Sequence, residues 1–380
     1  MLLASDVASA RGQPGVAGGP DLTIVVPTFN ERANVGILAR KLDSVLADIT
    51  WEVIFVDDNS PDGTSEEARA LGRRDSRVRA ICRIGRRGLA GAAIEGIMAA
   101  QGRYVAVMDG DLQHDERLLP AMLHALQRDE TDLAVGSRYV AGGTATALSP
   151  RRRMASRIAG ALARRVLRVA IADPMSGFFM MPAAVALSIA PRLWSSGFKL
   201  LMDILATSNG RVRVREFPYV FQDRRHGASK LDSTVVFDFL VLLMAKATGN
   251  ILPPRSLGFV FVGSTGVLVH LAALWMLVRL PLDFSAAQAL ATVAAMTSNF
   301  LLNNALTYRD QRLRGWHAVK GLAIFYAICA IGAVSNVGVA SWIYANWPVW
   351  WIAGLIGSII GAVWNYSISS ALVWRSSPAR

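Results

Sequence analysis

Two apolar patterns divide the chain. In the first part, short apolar runs stop at polar or acidic turns and alternate with helix-period stretches. Leu22–Val26 ends at Pro27-Thr28-Phe29-Asn30-Glu31, and Trp51–Val56 ends at Asp57-Asp58-Asn59-Ser60-Pro61-Asp62-Gly63. Tyr104–Met108 ends at Asp109-Gly110-Asp111-Leu112-Gln113-His114. Unbroken apolar runs suit strands covered on both faces. Repeated strand-turn-helix units predict an α/β domain built on a parallel sheet. Ligands of such sheets lie beyond the carboxyl ends of the strands, so all three turns are expected on one edge.

From Arg255 onward acids nearly vanish, leaving only Asp283 and Asp310, and the apolar runs lengthen. A bilayer span takes about 20 apolar residues. Leu257–Val278, Phe284–Leu306, Val319–Tyr344 and Val349–Val373 are of that length. Arg309, Arg312, Arg314 and Lys320 crowd the second link, and Arg375 and Arg380 follow the fourth run. The links near Pro281 and Pro348 carry almost no charge, so the positive-inside rule puts both termini in the cytoplasm. The expected layout is a disordered leader at 1–20, an α/β domain at 21–230, a juxtamembrane helix and linker at 231–254, and four transmembrane helices at 255–380.

Charge and cysteine usage narrow the picture. The net charge of +12 accompanies no nucleic-acid motif. Its arginines flank apolar segments, which suits anionic membrane lipids. Two cysteines, Cys82 and Cys329, form no disulfide framework and fit a reduced cytoplasmic setting.

The turns carry the candidate chemistry. Asp109 and Asp111, spaced i and i+2 beyond a strand end, can share one hard cation, with the amide oxygen of Gln113 in reach. Oxygen-only ligation suits Mg²⁺ or Mn²⁺, bound through one or two carboxylates plus substrate phosphates. Gly110 between them permits a tight turn. Glu31 and Asp58 can accept hydrogen bonds from a base or ribose, whereas Asn59 and Ser60 read as helix-capping residues. Arg86-Arg87-Gly88-Leu89-Ala90-Gly91 opens a helix with small residues, which admits phosphate or sugar to backbone amides and equally permits close helix-sheet packing. Arg138, ending the Gly136-Ser137-Arg138 run, is placed for a phosphate. In the basic turn Gln222–Lys230, Arg224 and Lys230 can neutralise a leaving diphosphate as the loop closes.

Two further segments predict helices lying along a membrane surface. Arg151–Ala170 mixes arginines with Ile, Leu, Val and Ala. Leu231–Thr248 is apolar at most positions but short, and interrupted by Asp232, Asp238 and Lys246.

Pro27–Glu31, Val56–Gly63, Asp109–Gln113, Gly136–Arg138 and Arg224…Lys230, in this order, resemble the polyprenol- or dolichol-phosphate mannose synthases, inverting family 2 glycosyltransferases with the GT-A (Rossmann-like) fold. The four-run tail resembles the GtrA-like domain fused to some of them. The resemblance implies that Pro27, Phe29, Glu31, Val56 and Asp58 hold the nucleoside and that Met108 and Gly110 add backbone contacts. It also implies metal ligation by Asp109, Asp111 and Gln113, and phosphate contacts from Arg138, Arg224 and Lys230. Acceptor-phosphate contacts would come from Arg138, Arg152 and Ser176. Phe29 stands where Tyr is usual, Gly110 where Ala is frequent and Ala90 where Gly is common, and Asp173–Phe179 lacks the Arg that often ends this segment. The implied reaction moves mannose from GDP-mannose to a polyprenyl phosphate lipid. Its rivals are a UDP-glucose-dependent polyprenyl-phosphate glucosyltransferase and a lipid-linked-sugar flippase with a regulatory soluble domain. A processive polysaccharide synthase is disfavoured, because no Gln-x-x-Arg-Trp motif occurs.

Overall fold

A computed structural model describes residues 18–85, 88–144, 150–167, 171–193, 200–208, 212–222, 239–245, 254–307 and 312–357. The chain forms two compact units, residues 1–249 and 250–380.

The first unit is a seven-stranded sheet between helices. Its strands are β1 (Leu22–Thr28), β2 (Trp51–Asp57), β3 (Val78–Cys82), β4 (Tyr104–Val107), β5 (Leu133–Ser137), β6 (Phe179–Pro182) and β7 (Val214–Pro218), in the spatial order β3-β2-β1-β4-β6-β5-β7. Its helices are α1 (Arg32–Val45), α2 (Thr64–Gly72), α3 (Leu89–Met98), α4 (Leu119–Gln127), α5 (Pro150–Leu167), α6 (Ala183–Ile189) and α7 (Leu200–Thr207). Period-two alternation sends Val25, Ile54, Val56, Val105 and Val107 to one core. Leu22, Ile24, Val26, Val53 and Phe55 go to the other. Covering both faces explains why these strands read as unbroken apolar runs.

The expected parallel sheet is in fact mixed. β1, β2, β3 and β4 pair in parallel, but β6 runs antiparallel to both β4 and β5. The chain leaves β5 at its carboxyl end and enters β6 from that same edge, where Arg138 and Asp173 meet. A strand started from that edge runs opposite to its neighbours.

α5 is not a free surface helix. Ala163 on one face is buried with Met202, Phe239, Leu242 and Leu243, and Ala159 packs alongside. The other face leaves Met154 59%, Ile158 60% and Leu162 38% exposed at i, i+4, i+8. The second segment expected at the bilayer surface is described only over 239–245, where it is helical. There Phe239, Leu242 and Leu243 face Ala163 and Met202 rather than an open surface, because α5 and α7 offer them an apolar seat.

The second unit is helical: α8 (Pro254–Leu277), α9 (Phe284–Leu302) and α10 (Trp316–Asn346), with residues 350–357 also helical. α9 runs on into a π-helical turn at Asn303–Thr307. These helices coincide with the long apolar runs. Among the described residues, however, no helix is long and apolar enough to cross a membrane. In α9 the apolar run is diluted by Gln288, Thr292, Ser298 and Asn299. Buried Gln288 donates from Nε2 to Asn336 Oδ1 at 2.7 Å, an α9–α10 bond. A methyl placed on Gly357 would lie 2.6 Å from Asn336 Oδ1, so this glycine marks a close helix approach.

Candidate active site

β2, β1 and β4 lie side by side, with Thr28 opposite Asp57 and Val25 opposite Val107. Their trailing turns therefore share one sheet edge. Each turn contains a non-glycine residue in the left-handed region: Asn30 at φ 62°, Asn59 at 54° and Leu112 at 63°. Asn tolerates that conformation, whereas for Leu112 it is strained, and such strain clusters at functional sites.

The first two turns are stitched together. The Asn30 amide donates to Ser60 Oγ at 2.9 Å, Glu31 N to Thr64 Oγ1 at 3.0 Å and Arg32 N to Asp62 Oδ2 at 3.1 Å. Asp57 accepts from the Ser60 amide at 2.9 Å and from its hydroxyl at 2.5 Å, so it builds the turn. Glu31 accepts from Asn34 Nδ2 at 2.5 Å. An open cavity of about 560 Å³ beside it is lined by Asn30, Glu31, Arg32, Arg40 and Asp62.

Asp58 is buried and engaged. Arg83 Nη1 meets its Oδ1 at 2.6 Å, and the Gly88 amide donates to Oδ2 at 2.7 Å. Burial pushes the Asp58 carboxyl up, while the Gly88 N–H and the Arg83 charge pull it the other way. Buried Arg83 also reaches Glu95 at 3.2 Å and the Gly88 carbonyl at 3.1 Å. Arg83 is a functional-edge residue that the motifs missed. Its signal is its place immediately after a strand, like the acids of the other turns. The small-residue start of α3 resolves toward packing: the Gly88 amide is spent on Asp58, and Ala90, Ala92 and Ala93 are buried in the core.

The turn after β4 collects the cation candidates. Asp111 is 5% exposed, and its Oδ1 accepts from the Gln113 amide at 3.1 Å. Gln113 spends its side-chain N–H on the Gln222 carbonyl at 2.8 Å, leaving the oxygen as the end suited to a hard cation. Asp109 keeps a third of its side chain exposed. Among the described residues there is no group of three or more His, Cys, Asp or Glu side chains able to hold a metal. Two carboxylates and an amide oxygen, however, fit a hard ion completed by substrate phosphates.

On the far side of β4, Arg138 grips Asp173 in a two-pronged pair, Nε to Oδ2 at 2.7 Å and Nη2 to Oδ1 at 2.9 Å. Burial opposes the guanidinium's charge, but the Asp173 bonds outweigh it and raise the Arg138 pKa. Asp173 is fully buried, and Glu216 accepts from the Ala172 and Asp173 amides at 2.7 and 3.0 Å. Tyr219 is buried nearby. Burial pushes its phenol up, Arg138 opposes, and Asp173, Asp109 and Asp111 add to the rise. The Tyr219 ring packs edge-on against His114 at 5.8 Å and against Phe221 at 6.3 Å, and the Arg138 guanidinium lies 5.4 Å over Phe221. Next to Arg138, a cavity of about 630 Å³ is lined by Tyr139, Ser156, Arg157, Arg164, Asp173 and Met175.

Ser176, expected at the acceptor phosphate, lies in the 173–178 loop beside Asp173. Its buried hydroxyl donates to the Gly136 carbonyl at 2.7 Å, tying the 173–178 loop to β5. Pro27, Val56, Met108 and Gly110 are buried at the strand ends, and Phe29 is half-buried. Arg86, Arg87, Arg224 and Lys230 lie outside the described residues, as does the side chain of Arg152.

The family description "Glycosyl transferase family 2" matches residues 23–187, and "GtrA/DPMS, transmembrane domain" matches 258–374. A dolichol-phosphate mannosyltransferase of Pyrococcus furiosus is 33% identical over 361 residues, covering 93% of this chain and 99% of its own. One from Saccharomyces cerevisiae is 36% identical, covering 58% of this chain and 84% of its own. Among solved structures, a Mycobacterium tuberculosis glucosyl-3-phosphoglycerate synthase in complex with Mn²⁺ and UDP aligns at a TM-score of 0.48 and 18% identity, over 65% of this chain and 85% of its own.

Proposed function

The chain belongs to the dolichol-phosphate mannosyltransferase family, a family 2 glycosyltransferase domain followed by a GtrA/DPMS transmembrane domain, and from that premise we propose that it moves mannose from GDP-mannose to a polyprenyl phosphate at the cytoplasmic membrane face. The observation that carries this reading is the ring cluster that links Arg138 to the β4 turn: the guanidinium lies 5.4 Å over Phe221, Phe221 packs 6.2 Å from His114, and His114 Nε2 stands 3.6 Å from Asp109 Oδ2. It joins a site for a donor diphosphate to a cation suited to an acceptor phosphate.

The chemistry asks little of a base. A phosphate-monoester oxygen of the acceptor attacks the anomeric carbon, the carbon–oxygen bond to the nucleoside diphosphate breaks with its electrons, and configuration inverts. The attacking oxygen carries no proton, so none has to be removed. The difficulty is bringing two anions together: charges about 4 Å apart interact by roughly 4 kcal/mol at an effective dielectric near 20. Asp109, Asp111 and the Gln113 oxygen would hold Mg²⁺ or Mn²⁺, which supplies charge to the donor diphosphate. Arg138, already aligned by Asp173, presents its charge without reorganising. Glu31 and Asp58 take the nucleoside side of the edge, together with Pro27, Phe29 and Val56. Arg152 assists at the acceptor, and Arg224 and Lys230 neutralise the leaving group.

The exposed Met154, Ile158 and Leu162 stripe, with Arg157 and Arg165 exposed beside it, supports placing α5 at an anionic headgroup layer. Four transmembrane helices with both termini cytoplasmic follow from the tail's charge bias.

Purified full-length protein, given a short polyprenyl phosphate and either GDP-mannose or UDP-glucose, tests the reading. Mannosyl lipid from GDP-mannose is expected. Glucosyl lipid from UDP-glucose alone would replace the donor assignment, and transfer with neither donor would reject the activity.

A further inference from the structure

His114 lies five residues past Asp109 and is 3% exposed. Its Nδ1 accepts the Asp109 backbone N–H at 3.1 Å. With Nδ1 accepting, the ring hydrogen sits on Nε2, which stands 3.6 Å from Asp109 Oδ2. That distance is beyond hydrogen bonding but within electrostatic reach. One imidazole thus binds the backbone of Asp109 and stands close beside its carboxylate.

The ring is itself fixed. It stacks on Phe178 at 5.3 Å with 14° between planes, and meets Tyr219 edge-on at 5.8 Å. Gly177 completes the arrangement: a methyl placed there would lie 3.0 Å from Asp109 Oδ2 and 3.3 Å from His114 Cε1. The absent side chain lets the 173–178 loop press against the carboxylate, while Phe178 holds the imidazole behind it. Asp173 of that loop also aligns Arg138.

We propose that His114 is a positioning residue that pre-orients Asp109 for its divalent cation, with Phe178 as its platform and Gly177 as the clearance that lets the carboxylate sit there. The inference rests on the metal reading of Asp109 and Asp111. Groups that orient ligands from outside the coordination shell typically govern 10- to 100-fold in metal affinity or activity.

The test measures Mn²⁺ binding to the full-length protein with a nucleoside diphosphate present, by electron paramagnetic resonance of the free ion. Wild type is compared with His114→Phe, His114→Asn and Gly177→Ala, and the metal dependence of transfer is recorded in parallel. Asn places its oxygen where Nδ1 lies, whereas Phe keeps the stacked ring and loses both nitrogens. His114→Phe should weaken Mn²⁺ binding about 10-fold or more and raise the half-saturating metal concentration, with the rate at saturating metal within a few-fold of wild type. His114→Asn should recover most of that affinity, and Gly177→Ala should weaken it. A purely packing role ranks the variants the other way, with Phe at least as good as Asn, and that order would overturn the proposal. If His114→Phe does not fold, His114→Gln takes its place, since it lacks an acceptor at the Nδ1 position. Asn no better than Gln then refutes the positioning role. Wild type that binds no Mn²⁺ refutes the metal reading itself, a result distinct from variants that merely equal wild type.

Discussion

The two units answer buried polarity in opposite ways. In the sheet unit, buried charge meets charge: Arg83 pairs with Asp58, Arg138 with Asp173, and Lys41 with buried Glu116 at 2.6 Å. In the helical tail, the buried pairs described are between neutral groups. Gln288 binds Asn336, and Thr292 returns its hydroxyl to the Gln288 carbonyl at 2.8 Å. Paired charges hold a field in place for anions that arrive later. The Gln288–Asn336 amide bond fixes a contact between α9 and α10, the Thr292 bond stays within α9, and neither carries net charge. On this ground we propose that the chemistry belongs to the first unit and that the second mainly packs.

The comparison is most exposed at Asp111. Asp111→Ala removes one of two carboxylates from the β4 turn, and the rate should fall by two or more orders of magnitude, the scale of losing a major electrostatic stabiliser. Transfer assays across a metal series measure it. Full activity in chelator would place the chemistry elsewhere.

Arg138 separates site from scaffold. Arg138→Ala leaves the fully buried Asp173 carboxylate without its two-pronged partner. Breaking a buried pair in this way costs about 3–5 kcal/mol of stability, read by denaturant unfolding. The double variant Arg138→Met with Asp173→Leu should regain much of that stability but not the transfer activity. Regained activity would show that the pair is scaffold only.

The tail should respond more mildly. Gln288→Leu removes one interhelical hydrogen bond, worth about 1 kcal/mol, and transfer in detergent should stay within about two-fold. A large loss of transfer would mean that the tail takes part in catalysis and that the division between the units fails.

What the sequence disclosed follows the same division. The strand-end turns were legible because an apolar run that stops at Asp57, Asp109 or Glu31 announces both a strand and an edge. The parallel register failed at β6, since Phe179–Pro182 has strand character but no local sign of direction; the edge at which the chain re-enters the sheet sets that. Asp173 and Gly177 were legible as a motif, but not as the groups behind Arg138 and Asp109. His114 was visible only as the last letter of the acidic turn, and its role depends on Phe178, far along the chain. Arg83 lacked a motif altogether. In the tail, apolar length was readable, whereas the Gln288–Asn336 bond depends on helix rotation, which composition does not give.

Acid should produce the smallest effect, and its sign distinguishes two kinds of carboxyl in the sheet unit. Asp75 and Asp115 each bind the arginine two residues on, Arg77 at 2.8 Å and Arg117 at 2.8 Å. Those hydrogen bonds, opposed by partial burial, hold both carboxyls below the ordinary value of 3.8. A carboxyl lowered by folding stabilises the fold above its unfolded pKa and loses that contribution as pH falls through its folded one. Asp58, raised mainly by burial, has the opposite sign: its contribution is complete below 3.8 and fades as pH rises through its folded value. Each pair keeps its arginine in contact with solvent, so salt screens the pairs and their share is small. Unfolding midpoints at pH 7 and pH 3 should therefore draw slightly closer together in the double variant Asp75→Asn, Asp115→Asn, and the change should shrink in high salt. An unchanged gap at low salt would show that these two pairs contribute nothing here. The acid response of the sheet unit would then rest on its buried pairs alone.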